Sequence, residues 1–460
     1  MTDVGFSLLG SLEAYGLKQV ISQGYEKLVV DPERYRHIHG EESVPVRPLP
    51  AVPKSTGKQN KTVVLVVHSY YPDSGGGTER FGKNLAAALR MAGNRVILLA
   101  YSARVFSAYP NRYAGIVYVM ETIDEIPVIR FRHRRPNGAG LKDIPKEDPA
   151  LEKFARELFS QIHPDVVHFL HLSRINPLTG VCQYLNIPYF VTVTDFFALC
   201  HSSTRIDRFG GICGGCKEGA RCKKACPTIQ IKAPEERYRN ALRLLKGAEA
   251  VVTPSAYTAG VFQREFPGLK TSVIPHGIGL APFRRARSGA VRRFLFVGRL
   301  SDVKGVGFLI SAFHNMPPDC SLRIYGDGPT RYKSNLKHLA AKDKRIAFYG
   351  LVPPESIAEV YQEADCVVVP SLVPETYNFV VREALQSGCL VVASAVGAIP
   401  EVVVEGRNGF LVPCGQKEEL HTGLMRAYDF SWDNWTSSQF PNTRDEAASY
   451  SYLYEQIKEV

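Results

Sequence analysis

No apolar run in the sequence approaches the roughly 20 residues that span a bilayer. The first sixteen residues, Met1 to Gly16, carry no basic region ahead of an apolar stretch and no small-residue cleavage site, so they do not read as a signal peptide. With neither feature, the expected compartment is the cytosol, where the ten cysteines would stay reduced. A composition of 45% hydrophobic and 22% charged residues is that of an ordinary globular protein, which excludes a disordered tail, a collagen-like fibre and a disulfide miniprotein. Acidic residues are the minority charge: 45 Asp and Glu stand against 56 Lys and Arg, a net charge of +11. Such a surplus favours anionic partners, namely nucleotide phosphates, acidic lipids, anionic glycans or nucleic acid, and says nothing about fold.

At about 150 residues per domain, the 460 residues predict two or three domains. Residues 1–60 read as an N-terminal extension and linker. Leu8, Leu9, Leu12, Leu17, Val20 and Ile21 recur at near-helical spacing, weakened by Gly5, Gly10 and Gly16, and a Pro-rich stretch from Val44 to Pro53 follows. The segment is either a docking helix with its tether or a helix lying on a membrane surface. From Thr62 the pattern becomes short β-branched runs alternating with helical stretches. The runs are Thr62–His68, Arg95–Tyr101, Asp165–Leu170, Tyr189–Asp195, Ala250–Ser255 and Ser272–Pro275. After a basic stretch at 277–293 the series restarts with Phe294–Leu300, Ser321–Gly326, Arg345–Gly350, Asp365–Ser371 and Leu390–Ser394. Strands alternating with helices imply parallel sheets covered on both faces. The expected architecture is α/β: two doubly wound, Rossmann-like domains, 61–280 and 281–430, facing one another across a cleft. Ligands would sit in that cleft, at the carboxyl ends of the strands. Residues 431–460 are expected to form a helix that packs back across the domain boundary.

The first strand is followed by Gly75-Gly76-Gly77 and then a helix, an arrangement in which backbone N–H groups can approach an anion. It lacks the Lys-Ser/Thr of a P-loop and does not match GxGxxG, so a plain turn fits it equally well. The second half says more. Arg299 ends a strand, and Lys304-Gly305 opens the next helix; two cations beside a helix N-terminus suit a diphosphate. Glu375 and Glu383 flank a loop and helix start from Thr376 to Phe379, and carboxylates suit the hydroxyls of sugars and ribose.

Taken together, VGRL, KG, IYGDGP, FYGLV, ADCVVVPS, PETYNFVVREALQSG, VGAIPEVV and NGFLVP, in this order, resemble the retaining GT-B glycosyltransferases of family 4. The resemblance runs from Thr62 to about Tyr428 and is most specific in the C-terminal half. It implies a nucleotide-sugar donor bound mainly by the C-terminal domain. Arg299 and Lys304 would hold the diphosphate, Glu375 the donor sugar and Glu383 the ribose. Backbone N–H groups near Asn378, Phe379 and Val380 would meet sugar and phosphate, Leu351 and Val352 would line the base pocket, and Gly76 and Gly77 would approach from the N-terminal domain. Catalysis would rest on positioning and charge stabilisation, with retention at the anomeric centre and no catalytic divalent metal. One departure stands out. Where many members carry a histidine near the donor sugar, this chain has Thr194, followed by Asp195. Either Asp195 or His171 takes part instead, or the contact is absent. His168, inside an apolar strand, reads as core, and His276 falls where relatives place a polar residue near the cleft.

Cys213, Cys216, Cys222 and Cys226 share one glycine-rich loop, with Cys200 upstream in DFFALC, and some relatives carry a similar cysteine-rich loop. Four thiols so spaced predict a structural zinc, with an iron–sulfur cluster or disulfides as alternatives. Basic clusters at Arg130–Arg135, Lys217–Lys224 and Arg284–Arg293 are solvated faces or attract anionic lipid or glycan, whereas nucleic acid would need a recognition element that the pattern lacks. The expected function is a cytoplasmic transferase, peripheral to the membrane in one reading, acting on a glycan or lipid-linked acceptor. The rivals are an epimerase or free-sugar synthase of the same fold, and a degenerate nucleotide-sugar-binding protein.

Overall fold

A computed structural model describes residues 61–102, 111–134, 144–226, 233–281 and 289–457, so the expectation for the N-terminal extension lies outside the described residues. The N-terminal domain runs β1 (Thr62–Val67), α1 (Gly77–Met91), β2 (Arg95–Tyr101), β3 (Asn111–Tyr113), β4 (Ile116–Ile123), β5 (Ile126–His133), α2 (Pro149–Ile162), β6 (Val166–Phe169), α3 (Leu178–Tyr184), β7 (Tyr189–Thr192), α4 (Ala220–Ala225), α5 (Pro234–Lys246), β8 (Ala250–Thr253), α6 (Ala256–Glu265) and β9 (Thr271–Val273). The C-terminal domain follows with β10 (Arg293–Val297), α7 (Val306–Phe313), β11 (Ser321–Tyr325), α8 (Thr330–Ala340), β12 (Ile346–Gly350), α9 (Ile357–Gln362), β13 (Cys366–Val369), α10 (Phe379–Gln386), β14 (Leu390–Ser394), β15 (Gly409–Val412) and α11 (Lys417–Tyr428). A last helix, α12 (Thr443–Glu455), closes the chain.

Among the described residues the first sheet has the order β3-β4-β5-β2-β1-β6-β7-β8-β9 and the second β12-β11-β10-β13-β14-β15. The second sheet is parallel throughout, and in the first only the β3-β4-β5 ribbon is antiparallel. The strand order reverses between β1 and β6 in one domain and between β10 and β13 in the other. These are the crevices where doubly wound sheets take ligands. The hairpin β4–β5 escapes the sequence pattern because its turn, Asp124-Glu125, places both residues at positive φ (49° and 63°) without the glycine or asparagine that marks such turns.

Both sheets are buried on their two faces, as parallel strands of continuous apolar residues require. Val64 and Val66 of β1 face one N-domain cluster, and Val63, Leu65 and Val67 face the other. The second of these clusters also takes in Tyr450 and Tyr454 of α12, so the last helix is part of the N-terminal domain by packing. Asn442 caps that helix reciprocally with Asp445, and Glu446 in its first turn reaches His276 (3.0 Å) and the Gly277 amide (2.8 Å). Ile206 and Ile212, bridged within the cysteine loop, are buried in the cluster of the opposite domain.

Candidate active site between the two domains

On the C-terminal side, the chain leaves β10 through Gly298 and Arg299, and Lys304-Gly305 opens α7. Gly305 has φ +69°, and a Cβ there would lie 1.9 Å from the Pro370 carbonyl oxygen, so the turn that presents Lys304 admits only glycine. Gly326 and Gly328 of IYGDGP are fixed in the same way by the carbonyls of Gly298 and Leu300 (1.8 and 2.0 Å from the added carbon). Lys304 Nζ donates to Glu375 Oε1 (2.7 Å), which also accepts from the Ser371 hydroxyl (2.7 Å). Gly397 lies against the Glu375 backbone, and the Ala398 amide donates to the Glu375 carbonyl (2.8 Å). VGAIPEVV thus buttresses the loop that carries Glu375. Asn378, at φ 61°, caps α10 by accepting from the Val381 amide (3.0 Å). That leaves the first N–H groups of α10, from Phe379 and Val380, at the cleft end of the helix. Leu351 is 73% exposed and Val352 packs beside it at the edge strand, a shallow apolar lip.

The N-terminal domain meets this surface closely. A Cβ on Gly76 would lie 3.9 Å from Arg299 Nη2, and one on Gly77 would lie 3.9 Å from the Phe379 ring. Glycine at both positions lets the backbone at the start of α1 approach the C-terminal site. Glu383 is buried (1% exposed) and accepts from Tyr361 Oη (2.9 Å) and from the Arg80 guanidinium, which crosses from α1 over the Phe379 ring. Burial works against the charge of Arg80, but the adjacent Glu383 carboxylate outweighs it and holds the guanidinium above its ordinary pKa. Arg80 is the contact that the sequence reading missed; its only signal was a cation one turn into the helix after the glycines. Thr376 ties the domains together. Its hydroxyl donates to the Thr194 carbonyl (2.8 Å), and its own carbonyl accepts from Ser255 (2.6 Å) and Thr258 (3.0 Å).

At the β1/β6 crevice, the His68 and His171 rings meet with centroids 3.9 Å apart, tilted by 33°. The Ser173 amide donates to His171 Nδ1 (3.0 Å), which leaves the proton on Nε2, aimed at Asp195 Oδ2 (3.2 Å). The Phe197 amide donates to the other oxygen of Asp195 (2.8 Å). Burial opposes the charge on Asp195, but the field and hydrogen bond of His171, together with the Phe197 amide, hold the carboxyl below its ordinary pKa. It is an ionised acceptor, 37% exposed, beside two buried or half-buried imidazoles. Burial, and then the field of His171, hold His68 well below 6.5, so that ring is neutral. Thr194 does not replace an imidazole: its hydroxyl donates to the Leu170 carbonyl (3.0 Å) and meets Thr78 (3.0 Å). His168 is buried core, and His276 is buried against Glu446 and stacked beneath Phe379, away from the cleft surface.

The cysteines do not form the expected ligand set. Cys216 is tied to Glu265, whose Oε2 accepts from its amide (2.9 Å) and thiol (3.1 Å), while the Cys200 thiol meets Ser202 (3.1 Å) and that of Cys213 faces the Gly215 carbonyl (3.5 Å). Among the described residues no three His, Cys, Asp or Glu side chains are grouped to hold a metal ion. Burial, and then the neighbouring Cys200 and Cys213 thiols, push Cys222 and Cys226 up to about 12. Cys213, Cys216, Cys222 and Cys226, with Cys200, lie in one another's fields without being drawn together as a ligand set, and no step below runs through zinc or an iron–sulfur cluster.

Two facing doubly wound domains, with cations, carboxylates and helix N-termini converging on the cleft between them, define a GT-B sugar-transfer enzyme. Family profiles agree: residues 75–281 match "Glycosyltransferase Family 4" and residues 291–429 match "Glycosyl transferases group 1". The chain belongs to the family-4-like GT-B glycosyltransferases. It is 39% identical over 127 residues to D-inositol 3-phosphate glycosyltransferase of Corynebacterium glutamicum, a stretch covering 25% of this chain and 30% of that protein. It is 26% identical over 184 residues to lipopolysaccharide 1,2-N-acetylglucosaminetransferase of Salmonella typhimurium, covering 35% of this chain and 48% of the relative. The chain thus spans less than half the length of these curated relatives. The crystal structure of HepE from Anabaena with UDP and glucose superposes with a TM-score of 0.60 at 18% identity, covering 86% of this chain and 100% of that one. Sucrose-phosphate synthase from Thermosynechococcus elongatus gives 0.58 at 19%, covering 86% and 97%. At such identities the likeness is one of fold. No helix among the described residues is long and apolar enough to cross a membrane.

Proposed function

We propose that the protein transfers a sugar, with retention, from a nucleoside diphosphate to a hydroxyl of a glycan or lipid-linked acceptor. The observation that carries this reading is the Lys304–Glu375–Ser371 cluster, which stands with Arg299 at one crevice and faces the glycine-opened start of α1. Arg299 and Lys304 would offset the charge of the diphosphate, in concert with the N–H groups that begin α1 and α10. Glu375 would accept from hydroxyls of the donor sugar and Glu383 from those of the ribose, with Leu351 and Val352 under the base. Solved relatives of this fold include one holding UDP and glucose, which supports a nucleotide-sugar donor. In the transfer, the bond from the anomeric carbon to the phosphate oxygen breaks and a bond to the acceptor oxygen forms on the same face. The acceptor's proton passes to the released phosphate. Asp195, ionised and held by His171, would orient that hydroxyl.

Thermal shift and donor hydrolysis with UDP-, GDP-, ADP- and TDP-sugars test the reading. One donor is expected to stabilise the protein and to be slowly hydrolysed. Transfer left unchanged by Arg299→Ala or Glu375→Ala would overturn the site, and stabilisation by no donor would favour a degenerate binding protein.

A further inference from the structure

Glu79, in the first turn of α1, carries a carboxylate almost out of water, with 4% of its side chain exposed. Its Oε2 lies against Gly76, where an added Cβ would be only 2.8 Å away. That same point is 3.9 Å from Arg299 Nη2, so the carboxylate and the guanidinium flank one glycine. Among the described residues, the ion-pair partner of Glu79 is His68, whose Nε2 stands 3.8 Å from Oε1, too far for a hydrogen bond. His68 directly follows β1, with 28% of its side chain exposed. Its Nδ1 is buried and has no hydrogen-bond partner among the described residues. The His68 ring also meets that of His171, which bonds Asp195 (3.2 Å). A row of side chains therefore runs from Arg299 through Glu79, His68 and His171 to Asp195.

A nearly buried carboxylate is costly unless it accepts hydrogen bonds. A carboxylate only accepts, whereas a neutral imidazole offers one donor and one acceptor. With Nε2 turned toward Glu79, the carboxylate favours the tautomer that carries its proton there. The pair then presents one acceptor and one donor at a spacing that a single hydroxyl can span, giving its proton to Oε1 and accepting from Nε2. A phosphate or carboxylate brought to the same point would meet the like charge of Glu79. Position in the row decides whose hydroxyl this is. In the transfer, the sugar is bonded to the diphosphate and attacked by the acceptor, so it lies between the cation that holds the first and the carboxylate that orients the second. Thr194 does not take this part, because its proton goes to the Leu170 carbonyl.

We infer that Glu79 and His68 together bind a hydroxyl of the transferred sugar from the N-terminal side of the cleft. They thereby select a donor sugar that presents a hydroxyl there rather than an anionic group. The inference deepens the transferase reading and rests on it. Glu375 takes the same sugar from the opposite domain, so a carboxylate from each domain holds it.

Calorimetry with UDP-glucose, GDP-mannose, ADP-glucose and TDP-glucose, each beside its nucleoside diphosphate, tests the pair. Glu79→Ala should weaken binding of the accepted nucleotide sugar by about tenfold or more, the scale of a hydrogen bond to a charged group. Binding of the matching nucleoside diphosphate should not weaken. His68→Phe, which keeps a ring and removes both nitrogens, should have the same effect. Thermal unfolding checks the fold of each variant. Glu79→Gln, which keeps the shape and one acceptor, carries the test if the Ala variant unfolds, with a smaller loss in the same direction. A loss shared equally by nucleotide sugar and nucleoside diphosphate would make the pair a prop for the α1 turn, and an unchanged nucleotide-sugar affinity would remove it from the site. Either result overturns the inference alone. If the unaltered protein binds none of the four donors and none of their nucleoside diphosphates, the transferase reading falls, and this inference with it.

Discussion

Gly305 holds Lys304 in place through the absence of a side chain: its φ is +69° and Pro370 O occupies the space a Cβ would need. Gly305→Ala should cost about 1–3 kcal/mol from backbone strain alone, and more from the clash. The expected result is a lower unfolding midpoint together with weaker donor binding, read by denaturation and thermal shift; wild-type donor affinity would disconnect the turn from Lys304. In the proposed transfer, Asp195 orients the acceptor hydroxyl. With its carboxyl held ionised by His171 and the Phe197 amide, Asp195→Asn keeps the shape and removes the charge. Transfer kcat should fall by about 100-fold, the scale on which a misplaced reacting group slows a reaction, in an assay saturated with donor; a fall confined to acceptor KM would reduce Asp195 to a binding group. Lys304 and Glu375, which the structure joins by a hydrogen bond, stood out in the sequence through motif and spacing, and Asp195 stood there as one of two replacements for a missing histidine. Arg80 could not, because a lone arginine on a helix carries no pattern and gains meaning only from what lies across the cleft.

At the scale of elements, α1 and α10 approach one another across the cleft near their first turns, with Gly77 beside Phe379 and an ion pair between Arg80 and Glu383. Removing one partner of a buried pair costs about 3–5 kcal/mol, because it strands the other charge. Arg80→Ala should therefore lower the unfolding midpoint of the free protein. If Glu383 takes ribose hydroxyls, a nucleoside diphosphate that fills the stranded carboxylate should stabilise this variant more than it stabilises the wild type. Equal ligand-induced shifts would remove Glu383 from the donor site. The alternation of strands and helices was legible because parallel strands buried on both faces are runs of Val, Ile and Leu, as in TVVLVV and CVVV. The β4–β5 hairpin was not, since its turn hides the signal that pattern reading uses. The cysteine spacing suggested a ligand set; what it did not show is that Glu265, on a helix forty-nine residues further on, engages Cys216.

For the whole molecule, the last helix is tied to the first domain. His168 Nδ1 meets Tyr454 Oη (2.7 Å) and its Nε2 meets Thr192 (2.7 Å), which in turn meets Tyr450 (2.9 Å). Tyr454→Phe leaves a ring nitrogen buried without its partner, a cost of about 1–3 kcal/mol, and the loss should appear in unfolding of the N-terminal domain although the change is at the chain's end. Burial pushes the His168 pKa down to about 3, from 6.5. The unfolded chain therefore takes up a proton that the folded one refuses. Stability from this group is whole above about pH 6.5 and declines as pH falls toward 3, by up to about 1.4 kcal/mol per pH unit. Between pH 6 and 4, His168→Asn should flatten the slope of unfolding free energy by about one proton; an unchanged slope would place the acid sensitivity elsewhere.

The sequence by itself determined the class: hydrophobic period specified two doubly wound sheets, and glycines at fixed intervals specified the turns that present Arg299, Lys304 and Glu375. These are local properties, set by backbone sterics and by which face of a strand or helix is apolar. Only the tertiary structure decided which charges meet. Arg80 answers Glu383, Thr376 bridges to Thr194 and Ser255, and α12 closes over β1. Electrostatic partnership depends on separation in space and on exclusion of water, and neither is fixed until distant segments have packed together.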